Sequence, residues 1–240
     1  MENENQKTNK KGIGVIIAII VLVLVIFAVV GGIFGYNLVQ KGLLINEVNE
    51  LVTKKNLSKD TIDVNDIKTS GDYAQVEKAI KTYLNNYAVE IQKIITIASD
   101  ERISKLLSTD NYKNDGPEFT ETLAFIDETT TNLNETSEKV FKLMEKEEMT
   151  KYIESYNLSS KYNELFETLM LDSETEKELQ SAKTQLQSSV EALNKNLEVA
   201  KETINFLKEN KNEWRISGTM VMFNNQNLVN QYNTLIKKLK

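Results

Sequence analysis

Residues 173–211 read SETEKELQSAKTQLQSSVEALNKNLEVAKETINFLKENK, and this stretch decides the fold class. Leu179, Leu186, Leu193, Ala200 and Leu207 recur every seven residues, and Val190, Leu197 and Ile204 fill the complementary positions, with Lys183 the exception. Apolar residues at that spacing form one stripe along an α-helix, because positions three and four apart share a face. The stripe also has the heptad form of a coiled-coil seam. A bundle helix lying on its own neighbours carries the same pattern, so packing within the chain is the simpler expectation. A homo-oligomer through the seam 179–207 is the other. Ser173 to Glu176 spells a capping box, which satisfies free backbone donors at a helix start. At ~1.5 Å per residue the helix would be roughly 58 Å long.

Working outward, the same periodicity recurs. Tyr73, Val76, Ile80, Tyr83, Leu84, Tyr87, Ile91, Ile94 and Ile95 predict a long helix from Asp72 that breaks near Ser99-Asp100. A short helical piece with Ile103, Leu106 and Leu107 follows. Residues 108–116, STDNYKNDG, have loop composition. Pro117, the single proline, suits a first helical turn, with Glu118 and Glu121 at the positive end of the helix dipole. The buried side of that helix carries Phe119, Leu123, Ile126, Leu133, Val140, Phe141 and Met144, with a polar gap at Thr129–Thr131. Residues 149–172 read as two short helices. Trp214 to Phe223 has β-forming residues on both sides of the turn-prone pair Ser217-Gly218, so a small hairpin is expected, anchored on a helix end by Trp214. A closing helix carries Leu228, Tyr232, Leu235, Ile236 and Leu239.

The N-terminus differs in kind. From Gly12 to Phe34 the chain reads GIGVIIAIIVLVLVIFAVVGGIF, and no charged side chain appears until Lys41. About 20 apolar residues in a helix cross a hydrocarbon core of ~30 Å. A cleaved signal peptide has a shorter apolar core, of ~7–15 residues, and a small-x-small cleavage site. Ala28, Gly31, Gly32 and Gly35 form a poor one, so an uncleaved signal anchor is expected. Lys7, Lys10 and Lys11 precede the run and only Lys41 follows it closely, which keeps the N-terminus inside. Apolar residues from Leu38 to Val52 continue at near-helical spacing, whereas residues 54–71 are polar and aperiodic and read as a linker.

The predicted fold class is therefore all-α, with a single N-terminal transmembrane helix followed by an elongated antiparallel helical bundle and a small β-hairpin near residues 214–223. The expected order is a short cytoplasmic tail (1–11), a transmembrane signal anchor (12–36), a stalk and linker (37–71) and an extracytoplasmic helical domain (72–240). An N-terminal span running into Gly35-Tyr36-Asn37-Leu38-Val39 and then a bundle has a counterpart in bacterial LemA-like proteins. The arginine-rich and Pro-Asn-Leu stretch of that family's first helix has none here, so nothing is carried over from it.

Composition narrows the chemistry. The chain has no Cys and no His, which removes disulfides, thiolate nucleophiles, the usual metal ligands and the side chain best suited to proton transfer near neutral pH. Its net charge is −6, and removing the first 36 residues, with three lysines and two glutamates, moves it to −7. Without a concentrated basic face, nucleic acid is not an expected partner. The loop Asp110 to Gly116 resembles a calcium loop but places Lys113 and Thr122 at ligand positions. Asp60, Asp63 and Asp66 read as a solvated linker. No catalytic, cofactor-binding or metal-ligating residue is assigned.

The sequence thus points to a non-enzymatic interaction or envelope-associated structural role. Its expected partners are the lipid bilayer, through residues 12–36, and a protein. A ligand-sensing ectodomain acting through a separate membrane partner is the alternative, with Tyr73, Tyr83, Tyr87, Tyr152, Tyr156 and Tyr162 as candidate pocket residues.

Overall fold

The structure, a computed structural model, describes residues 39–54 and 62–239. It is mostly helical, with one antiparallel hairpin. The elements are α1 (Val39–Lys54), α2 (Asp72–Ala98), α3 (Glu101–Lys105), α4 (Thr109–Asp115), α5 (Thr120–Leu143), α6 (Lys146–Glu154), α7 (Ser160–Met170), α8 (Ser173–Glu209), β1 (Trp214–Ser217), β2 (Met220–Phe223) and α9 (Gln226–Ile236). Among the described residues no helix is long and apolar enough to cross a membrane. The expected span, residues 12–36, lies outside them.

Two compact units share these elements. The first comprises the described residues up to Ile95 together with Thr136–Gln187. Its spine is α2, whose predicted stripe is buried as the periodicity requires: Val76, Ile80, Tyr83, Leu84, Tyr87 and Ile91 are fully inaccessible. Met149 and Ile153 of α6, Phe166, Leu169 and Met170 of α7, and Leu179 and Leu186 of α8 are buried in the same unit. The start of α8 differs in detail from the expected capping box. Asp172 accepts the Thr175 N–H at 2.8 Å on its carboxylate, so the cap lies one residue before Ser173. A charged acceptor makes a stronger bond to a backbone N–H than a hydroxyl does.

The segment read as a linker is also fastened where it is described. Ile62 is buried, its N–H donating to Asn85 Oδ1, and Thr69 is buried against α2. The Lys68 and Thr69 N–H groups and the Thr69 hydroxyl donate to Glu77 of that helix.

The second unit comprises Thr96–Glu135 and the chain from Ser188 onward. Thr109–Asp115 is helical here, against the loop expectation for residues 108–116. Ser108 caps α4 by accepting the Asn111 N–H at 3.1 Å, and Tyr112 is buried among aromatic rings. Tertiary burial of that one ring overrides weak local propensity. α5 starts at Thr120 rather than at Pro117. The Asp115 carboxylate accepts the N–H groups of Glu121 and Thr122, and Phe119 sits at φ 52 with its ring fully buried. Gly116 permits this turn, since a Cβ there would lie 2.4 Å from the Tyr112 carbonyl.

α5 and α8 run antiparallel in this unit. Glu118, Asp127 and Asn134 meet Lys211, Lys201 and Asn194 in reverse order. The expected polar gap places Thr129 on the buried side, 6% exposed. Leu193, Leu197, Ala200, Ile204 and Leu207 are buried as well. With Leu179 and Leu186 in the first unit, the heptad stripe is thus covered by the chain's own elements.

The hairpin pairs Trp214 with Phe223 and Ser217 with Met220, around Gly218 at φ 63. Glycine at the first central position is what a two-residue type II′ turn requires. Trp214, Ile216, Val221 and Phe223 face the core formed by Tyr112, Phe119, Ile204 and Leu207, as the anchoring role expected of Trp214 demands.

Candidate functional site

The densest polar construction in the first unit lies between α1 and α2. Glu77 and Lys81 are one helical turn apart on α2, and both side chains are 1% exposed. The Lys81 ammonium lies 2.8 Å from Glu77 Oε1 and 2.7 Å from Glu47 Oε1 on α1, and it donates to the Asp66 carbonyl. Its three protons therefore have three acceptors. Glu77 in turn accepts the backbone N–H groups of Lys68 and Thr69 and the Thr69 hydroxyl, at 2.7–3.0 Å. The cluster joins α1, the strap at residues 66–69 and α2 in one network.

Burial pushes the Glu77 carboxyl up, but the Lys81 ammonium and the Lys68 and Thr69 donors outweigh it and hold it below the usual carboxylate range. Burial pushes Lys81 down, and its two carboxylate partners more than reverse that, so its pKa is raised. Both groups are charged at neutral pH. A saturated ammonium and a saturated carboxylate form a clamp, with no lone pair or proton to offer a substrate. At the start of α1, Gln40 Oε1 accepts the Ser70 N–H at 2.7 Å, and Leu44, Val48 and Leu51 along the same helix are buried. Sequence reasoning assigned none of this, because an i,i+4 Glu–Lys pair normally marks a solvated face. The available signal was that Glu77 and Lys81 each adjoin a core residue, Val76 and Ile80, on a helix whose apolar face is unusually wide.

The six tyrosines do not converge on one pocket. Tyr83 is fully buried, donates its hydroxyl to the Leu143 carbonyl at 3.0 Å and meets Tyr152 edge-on at 5.5 Å. Tyr87 packs beside Tyr83. Tyr73 and Tyr162 form a separate edge-to-face pair at 5.2 Å, and Tyr156 is half-exposed. A groove of about 300 Å³ is lined by Asn86, Val89, Glu90, Lys139, Lys142, Leu143, Glu148 and Tyr152. Tyr152 alone of the six lines it, accepting from Asn86 Nδ2 at 3.0 Å. The groove carries both signs of charge.

A second groove, of about 340 Å³, belongs to the other unit and runs from Arg102 past Asn111 and Asp115 to Phe125. Arg102 lies 4.0 Å above the Phe125 ring and pairs with Asp100. The acidic residues once compared with a calcium loop are dispersed: Asp115 caps α5, and Asp110 is solvated beside Lys113. Asp63 accepts from the Asn65 N–H, Asp66 pairs with Lys68, and Asp60 lies outside the described residues. Among the described residues no three acidic, His or Cys side chains gather as a metal site.

Compared with family models, curated proteins and solved structures, the chain matches none.

Proposed function

We propose that this chain is a membrane-anchored extracytoplasmic helical protein with a non-enzymatic interaction or envelope-associated structural role. Residues 12–36 serve as a signal anchor, residues 1–11 remain inside and the helical units are exported. The observation that supports this most directly is the clamp on α1. The helix that follows the apolar run within a few residues is fixed to its unit by a buried ion-pair network instead of trailing from it. A segment joining an anchor to a folded body needs such a fastening to hold that body in a set position. The saturation of the buried charges and the dispersal of the acidic residues favour a binding role over catalysis.

The alternative of a ligand-sensing ectodomain acting through a separate membrane partner is favoured by one feature, the mixed-charge groove around Tyr152. Crosslinking from outside intact cells, followed by capture of the full-length chain, separates the readings. A specific protein crosslinked to the exported part supports the interaction role. External protease that leaves the chain intact, in cells whose cytoplasmic controls are also intact, would overturn the topology.

A further inference from the structure

We infer that the end of the first unit carrying the N-termini of α1, α2 and α7 is a lipid-docking surface that rests on the headgroup layer of the outer leaflet. This rests on the anchor reading above and adds that the unit is seated on the membrane, not held away from it on a free stalk.

Three elements meet at this end. α1 and α2 run parallel, since Gln40 bonds Ser70 while Glu47 meets Lys81 farther along both. Tyr73, in the first turn of α2, packs against Tyr162, in the first turn of α7. The Lys161 ammonium lies 4.6 Å above the Tyr162 ring. On α1, Val39 is 78% exposed and Leu43, one turn on along the same face, is 38% exposed. Exposed large aliphatics are few among the described residues, and these two fall next to the apolar run.

The chemistry matches an interface. Tyrosines are enriched at headgroup level, where an apolar ring and a polar hydroxyl are both satisfied. Lysines reach along apolar surface to place their charge among phosphates. Position agrees as well. Val39 follows Phe34, the end of the apolar run, by five residues, a separation short enough for it to sit at the headgroup layer, which is ~5–8 Å deep on each side. Gln40 and its partner Ser70 then lie at the outer edge of that layer, which brings the half-buried Tyr73 and the exposed Lys161 to it too, with the buried Tyr162 ring beneath them.

The chain has no native cysteine, so single-cysteine variants of the full-length protein report position directly. Leu24→Cys, Lys161→Cys and Lys93→Cys are labelled with an environment-sensitive fluorophore and reconstituted in phosphatidylcholine–phosphatidylglycerol vesicles. Nitroxide is placed on the acyl chain or on the headgroup. Position 93 lies 20 residues beyond Tyr73 along α2, ~30 Å farther out, so headgroup quenching at 161 is expected to be at least about twice that at 93. Val39→Gln with Leu43→Gln is expected to reduce the quenching at 161, and no reduction would overturn the assignment to this surface. Acyl-chain quenching at 24 without headgroup quenching at 161 would overturn the docking while leaving the anchor in place. No quenching at 24 would overturn the anchor, and the docking with it.

Discussion

The Lys81 ammonium sits 2.7 Å from the Glu47 carboxylate, and this contact ties α2 to α1, whose Leu44, Val48 and Leu51 are buried. Lys81→Met removes the cation and leaves the buried Glu77 and the partly buried Glu47 without it. Breaking a buried ion pair from one side costs ~3–5 kcal/mol, because the remaining charge is uncompensated. Urea unfolding of the full-length chain should show a loss of that order, and hydrogen exchange should rise first across Val39–Lys54. Replacing Glu47, Glu77 and Lys81 together by apolar residues should restore much of the loss. Equal destabilisation by both variants would mean that the charges themselves are indispensable.

The clamp also fixes a pH dependence. Glu77 has a folded pKa below its unfolded value, so its contribution is fully present above the ordinary glutamate range and disappears as pH falls through the folded value. The stability difference between the native chain and Glu77→Gln should therefore narrow as pH drops below about 4.3. Lys81 has the opposite sense: its raised pKa keeps its contribution until pH climbs past the ordinary lysine value. Burial raises the pKa of Tyr83, so the unfolded chain ionises that hydroxyl first and stability falls above about pH 10. Denaturant titrations across pH in matched ionic strength read all three. A difference between the native chain and Glu77→Gln that stays constant below the glutamate range would remove the clamp from the acid limb.

How much of this was legible in the sequence depends on where each signal resides. The stripes of α2 and α8 are local and periodic, and they appear at the expected residues. The hairpin was legible from β-forming residues around Ser217-Gly218, although the central turn residues are Gly218 and Thr219. What escaped is set by tertiary partners. α4 exists because Tyr112 is buried among Phe119 and Trp214, and composition alone carries no trace of that. The strap at 66–69 looked solvated because its acceptor, Glu77, is a charged residue that only the fold buries. Of the six tyrosines proposed for a pocket, Tyr152 lines the groove beside Asn86 and the other five do not; helical spacing gave their faces and not their depths.

Trp214 provides an independent test of the second unit. Its indole N–H donates to the Leu207 carbonyl at 2.7 Å, in the last turn of α8, where main-chain acceptors lack helical partners. Its ring stacks on Phe119 at 6.0 Å. Trp214→Phe keeps an aromatic ring and loses the donor, so a cost of ~1 kcal/mol is expected in thermal or denaturant unfolding. Trp214→Ala also removes the packing and should cost ~3 kcal/mol or more, with the hairpin losing protection from exchange. Equal effects from the two variants would show that the hydrogen bond, and not the ring, anchors the hairpin.

Gly116 is the most tightly enclosed of the described glycines. A Cβ there would stand 2.4 Å from the Tyr112 carbonyl, 3.1 Å from the Phe119 ring and 3.3 Å from the Trp214 ring. The nearest of these is backbone, which cannot swing aside as a side chain can. Gly116→Ala should therefore destabilise by ~1–3 kcal/mol, the range for overpacked sites, despite the entropy an alanine removes from the unfolded chain. Gly42, with open space around its Cβ position, is the control. Placed within α1, Gly42→Ala should stabilise by roughly 0.5–1 kcal/mol. Opposite signs at the two sites are expected in one unfolding series, and a neutral Gly116→Ala would mean that the α4–α5 turn relaxes without cost.

The heptad stripe yields the last test, because covered and shared seams unfold differently. Leu193 is 1% exposed and Leu186 fully buried within one chain. Leu193→Ala should cost ~2–5 kcal/mol through the cavity it leaves. If the seam is satisfied within the chain, that loss is independent of protein concentration. A seam shared between two copies would make the midpoint rise with concentration, since association stabilises by mass action. Lys183 sharpens the comparison. It occupies the one polar seam position, 27% exposed and paired with Glu145 at 3.3 Å. Lys183→Leu completes the heptad pattern, and in a chain whose stripe is already covered it should change stability by less than about 1 kcal/mol and leave the oligomeric state as it was. Light scattering of the two variants and the native chain in the same detergent, at several concentrations, reads both outcomes at once. A dimer formed only by Lys183→Leu would place that lysine as the residue that keeps the seam from pairing with a second copy.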